Sequence, residues 1–150
     1  MTIIAEREPD SVPVQALINT RTVHASGKGE AVKKLFKGPA SKALIGQDPD
    51  SPQPRQLTQR PHTTTTATGT GITILNYGAK KVIELMPRLE EWILETCRRA
   101  GVDIQRFGLP ANPAQLHDEL KTNPSKLKKL LPAIQDTPRI LALKNALKNT

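Results

Sequence analysis

The side chains best suited to metal chemistry are His24, His62 and His117, with Cys97 as the single thiol. No two of them stand at the i, i+4 or Cys-x-x-Cys spacings that bring ligands together on a helix or a turn. His117 lies in Leu116-His117-Asp118-Glu119-Leu120, where consecutive residues point in different directions around a helix, so it reads as a surface histidine. Cys97 has Arg98 and Arg99 beside it, which would favour a thiolate, but its helical phase puts it on an apolar stripe with Leu89 and Ile93. A buried small hydrophobe is the expected role. Glu90 and Glu91 are expected on the solvated side of a helix, leaving no carboxylate pair for acid–base work. Two glycine-bearing stretches fall short of phosphate loops. Ser26-Gly27-Lys28-Gly29-Glu30 lacks the full Walker spacing, and residues 68–73 (TGTGIT) lack the third glycine of a dinucleotide fingerprint. The expectation is a non-enzymatic protein with no cofactor and no metal.

Positive charge offers a different chemistry. The net charge is +8, which favours polyanionic partners. Lys126, Lys128 and Lys129 cluster on one short segment, with Lys121 upstream and Arg139 and Lys144 downstream. Lys33 and Lys34 belong to a second basic stretch nearer the N-terminus. These residues are expected to contact phosphates, giving affinity with little base preference, because lysine acts as a point charge. Aromatics make up only 3%, too few for a base-stacking platform. The alternative is a protein–protein adaptor or assembly component of a viral or plasmid-encoded type, or a homo-oligomer. It would use an apolar helical groove lined by Leu127, Leu130, Leu131, Ile140 and Leu143.

These residues need elements to hold them. Residues 79–101 carry apolar positions at 82, 85/86, 89, 92/93 and 97, which predicts one long helix. Arg98 and Arg99 suit its last turn and Gly101 its end, while Pro87 should kink or split it after Leu85 or Met86. Three further helices are announced by one device, a capping residue followed by proline: Asn112-Pro113, Asn123-Pro124 and Thr137-Pro138. Upstream, residues 47–71 are rich in Pro, Gln, Thr and Gly, which predicts a flexible tether. Residues 29–46 suggest a short basic amphipathic helix that is unstable alone.

The alternation of Asn-Pro or Thr-Pro corners with leucine-rich turns over 112–149 resembles the helical repeats of co-chaperones and ubiquilin-like proteins. The resemblance implies a hydrophobic groove for helical segments of a partner, and no functional residue is carried over from it. The expected fold is all-α: a small C-terminal helical domain, 71–150, with one long helix and three proline-initiated ones, behind a largely disordered basic arm, 1–70. A minority reading pairs 12–18 with 71–76 as strands in a small α+β fold. No apolar run spans a bilayer, the start lacks a secretory signal, and a lone cysteine suits a reducing compartment, so a cytoplasmic location without membrane contact is expected.

Overall fold

The computed structural model describes residues 1–148, so the last two positions of the expected domain, 149 and 150, lie outside the described residues. The elements run β1 (Thr2–Ala5), α1 (Glu8–Ile18), β2 (Arg21–His24), α2 (Lys28–Lys37), β3 (Lys42–Gly46), α3 (Arg55–Thr58), β4 (Thr63–Ala67), β5 (Ile72–Tyr77), β6 (Lys80–Leu85) and α4 (Leu89–Ala100). They continue through a 3-10 turn (Ile104–Phe107), α5 (Pro113–Thr122), a second 3-10 turn (Pro124–Lys126), α6 (Leu127–Ile134) and α7 (Pro138–Lys148). The six strands form one sheet in the order β2-β1-β3-β6-β5-β4. β2, β1, β3 and β6 are parallel, and β5 and β4 extend the sheet antiparallel.

This α/β architecture overturns the all-α expectation and the disordered arm. Residues 1–70 supply β1 to β4, and the boundary drawn at residue 70 falls inside the β4–β5 hairpin. The reason lies in the central strand: all five residues of β3, Lys-Ala-Leu-Ile-Gly, are buried. A parallel strand covered on both faces shows no apolar alternation. The α+β alternative also fails, because residues 12–18 lie in α1 and β5 pairs with β4 and β6.

The expected long helix is two elements. Residues 80–85 form β6, whose Val82 and Glu84 face one side of the sheet and Ile83 and Leu85 the other. The chain breaks at Met86–Pro87, a cis peptide, before α4 begins at Leu89. Proline therefore interrupts where expected, but what precedes it is strand. The proline-initiated helices do form. Asn112 Oδ1 accepts from the Gln115 amide, and Thr137 Oγ1 accepts from the Ile140 amide at 3.3 Å. Asn123 makes no such side-chain cap, and its proline opens the 3-10 turn that leads into α6.

Two apolar layers sandwich the sheet. α1 and α4 to α7 bury Val12, Val14, Trp92, Ile93, Leu116, Leu130 and Leu143 against Ile3, Leu44 and Ile83. On the opposite face α2 and α3 bury Val32, Leu35 and Leu57 against Ile4, Ile45 and Val82. Lys42, 1% exposed, reaches from β3 to donate to the Leu147 carbonyl at 2.7 Å, tying the last helix to the sheet centre. Among the described residues no helix is long and apolar enough to cross a membrane.

Candidate functional site

In an open, mostly parallel sheet, ligands bind beyond the carboxyl ends of the strands where the connections diverge. Here that point lies between β1 and β3. After β1 the chain turns to α1 on one face, and after β3 it turns to α3 on the other. Glu6 follows β1 directly, and its carboxylate accepts from the Gly46 amide at 3.0 Å, bridging the two strand ends. The Gln47 amide donates to the Leu85 carbonyl at 2.9 Å, which brings the end of β6 to the same edge.

Charged groups converge there. Lys28, at the start of α2, donates to the Gln47 carbonyl and to Gln53 Oε1 at 2.7 Å. Burial lowers its pKa, while Glu84, Glu6 and Asp48 act in the opposite direction. Glu6 is raised by burial, against the Gly46 amide and then Arg7 and Lys28. Asp10, in the first turn of α1, is raised well above its usual value by burial, with Glu6 and Glu90 adding to the effect. Asp48 stands in the left-handed region at φ 50°. A hydrogen bond with Ser51 and then the Arg88 guanidinium hold it low. Arg88 also reaches Asp50 at 2.7 Å and Glu91 at 2.8 Å.

Glu84 differs from the others. It is 6% exposed, on the α2–α3 face of β6 beside Ile45 of β3. Burial raises its pKa, with Lys28 and His62 as the opposing charges. No hydrogen-bond donor among the described residues serves its carboxylate, which opens onto a cleft of about 340 Å³ lined by Gln47, Pro49, Gln53, Leu57, Thr58, His62 and Leu75. A raised carboxyl and a lowered amine in one crevice is the arrangement that active sites use for proton transfer. Among the described residues no group of three acidic, histidine or cysteine side chains is placed to enclose a metal ion.

The residues singled out in the sequence lie elsewhere. Lys33 and Lys34 are exposed on α2, on the opposite layer from Lys121, Lys128 and Lys129, which are exposed on α5 and α6. Lys128 borders a groove of about 630 Å³ with Gln15, Asn19, Thr20 and Arg21. Lys126 is paired with Glu119, and Lys144 is half-buried on α7. Arg139 is 5% exposed. It donates to Thr96 Oγ1 at 2.7 Å and to the Trp92 carbonyl at 3.0 Å, with its guanidinium 4.9 Å from the Trp92 ring centre. Leu127, Leu130, Leu131, Ile140 and Leu143 are core residues. Glu90, expected in solvent, is buried with its Oε1 2.6 Å from His117 Nδ1.

Sequence reasoning did not single out Glu6, Asp48 or Glu84. One signal was available: Glu6 and Gln47-Asp48 each follow directly on a short apolar run, as residues at strand ends do. Comparison with known proteins gave no match to a family model, a curated protein or a solved structure.

Proposed function

We propose that the protein binds nucleic acid without acting on it chemically, and that the crevice at the carboxyl edge of β1, β3 and β6 is where the bound strand is held. One observation carries the reading. A chain of net charge +8 gathers its carboxylates Glu6, Asp48 and Glu84 around Lys28 at the point where α/β sheets bind ligands. The basic exterior favours a polyanion, and Lys28 offsets part of the charge of the three carboxylates around it.

The test is fluorescence anisotropy of a labelled homothymidine oligonucleotide. Affinity should fall steeply between about 50 and about 200 mM salt. Lys28→Ala should weaken binding more than the double change Lys128→Glu and Lys129→Glu. The reverse ranking would move the site to α6 and refute the crevice. Absence of binding at low salt would refute the whole reading. The adaptor reading has no comparable support, because the leucines of its groove are packed inside the protein.

A further inference from the structure

We propose that the cleft floored by Glu84 is a base pocket that takes the Watson–Crick edge of guanine. The inference rests on the nucleic-acid reading and names which nucleotide that site selects. Its starting point is a carboxylate on a residue 6% exposed that no donor among the described residues serves, facing a cleft of about 340 Å³. Among the described residues no fully buried side-chain oxygen lacks a partner, so the Glu84 oxygens open to the cleft, and a ligand that displaces water from them must bring N–H groups. The two carboxylate oxygens match two parallel donors best. Among the standard bases only guanine presents two adjacent donors, N1–H and the 2-amino group, on one edge. Adenine and cytosine set an acceptor beside a single donor, and thymine flanks its single donor with carbonyls that the carboxylate would repel.

The walls agree with a flat heterocycle. Leu57 and Leu75 supply apolar surface, and Gln53 is held on the lining by accepting from Lys28 and donating to the Gln47 carbonyl. The walls are also fixed in place. Tyr77 Oη donates to the Leu57 carbonyl at 2.7 Å, and the His62 ring lies 4.8 Å from the Tyr77 ring. The volume falls within the range of small-molecule sites, about 300 to 1,000 Å³.

The experiment is isothermal titration of the full chain with guanosine, inosine and adenosine at mildly alkaline pH. Guanosine should bind, and inosine, which lacks the 2-amino group, should bind about tenfold more weakly. Adenosine should bind more weakly still. Glu84→Gln should cost guanosine at least about tenfold, and inosine, which keeps only N1–H, should lose less. Leu75→Phe, which fills the cleft from the neighbouring strand, should weaken both, and circular dichroism of each variant checks folding. Equal affinities for guanosine and inosine, or no guanosine heat in a folded protein at millimolar nucleoside, would overturn the pocket. The two proposals fail separately. A protein that binds homothymidine oligonucleotide but not guanosine keeps the crevice and loses the base pocket. One that binds guanosine but no oligonucleotide loses the nucleic-acid reading.

Discussion

Arg139 distinguishes a structural cation from a binding one. It is 5% exposed, donates to Thr96 Oγ1 and the Trp92 carbonyl, and stacks on the Trp92 ring. Among the described residues no carboxylate pairs with it directly, and burial lowers its pKa, with Arg99 adding to the effect and Glu95 opposing it. Arg139→Ala removes two hydrogen bonds from a charged donor, about 1.5 to 3 kcal/mol each, and a desolvated cation–π contact of about 2 kcal/mol. Against that stands relief of the several kcal/mol spent burying an unpaired guanidinium. Thr96 Oγ1 still donates to the Trp92 carbonyl at 2.7 Å, so that acceptor is not left unsatisfied. The net loss should be about 2 to 4 kcal/mol, most of it from the emptied space beside Trp92. With an m-value of about 2 kcal/mol per molar urea, the midpoint falls by about 1 to 2 M. Arg139→Met keeps the stem and fills that space, so it should stay within about 1 kcal/mol of the parent. Both variants should bind the homothymidine oligonucleotide as the parent does. An alanine variant with an unchanged urea midpoint and lost oligonucleotide binding would refute the structural role. A methionine variant as unstable as the alanine one would refute the packing argument.

Other outcomes follow from burial and backbone geometry. Burial holds the Glu84 carboxyl above its usual 4.5, so the folded state keeps that proton longer than the unfolded chain. Stability therefore drops as pH rises from about 4.5 through the folded value. Glu84→Gln should raise stability above that window and flatten urea-unfolding profiles taken from acid to mildly alkaline pH, and an offset independent of pH would refute the assignment. Burial pushes the Cys97 thiol up to about 11, so a thiol reagent at mildly alkaline pH should label it only on unfolding. Rapid labelling of the native chain would contradict its place in the core. Gly71 has φ +68°, and a Cβ there would stand 2.9 Å from Trp92 Cδ1. Gly71→Ala should cost about 1 to 2 kcal/mol in the backbone and about 1 to 3 in overpacking, measured as a lower urea midpoint.

The helical end of the protein was legible because capping is local. Asn112-Pro113 and Thr137-Pro138 announce their helices within four residues, and the side-chain caps form. The sheet was not legible, for three separate reasons. Its parallel strands are four to six residues long, and β3 is buried on both faces, so no alternation exists to be read. Val82, Ile83 and Leu85 fit a helical stripe with Leu89 and Trp92 as well as they fit a strand, and so short a run does not separate the two periods. Thr63 to Thr66 lie at the sheet edge with their side chains exposed, so β4 buries too little to look like a strand. The site was hidden by topology. Glu6, Lys28, Asp48 and Glu84 stand in four separate segments and meet only because β1, β3 and β6 end side by side. A spacing rule finds ligands within one helix or turn, and these residues share neither.

The place of β6 sets an order in time as well as in space. It lies between β3 and β5, yet it follows both in the chain. As the chain is made, β2, β1 and β3 can pair as soon as they appear. The threonine-rich β4–β5 hairpin has no neighbour to join until residues 80–85 emerge. Until then two separate pieces each carry an open edge, the condition under which strands pair with the wrong partner. β6 is therefore the keystone of assembly: its arrival closes both edges at once and carries Glu84 into the crevice in the same step.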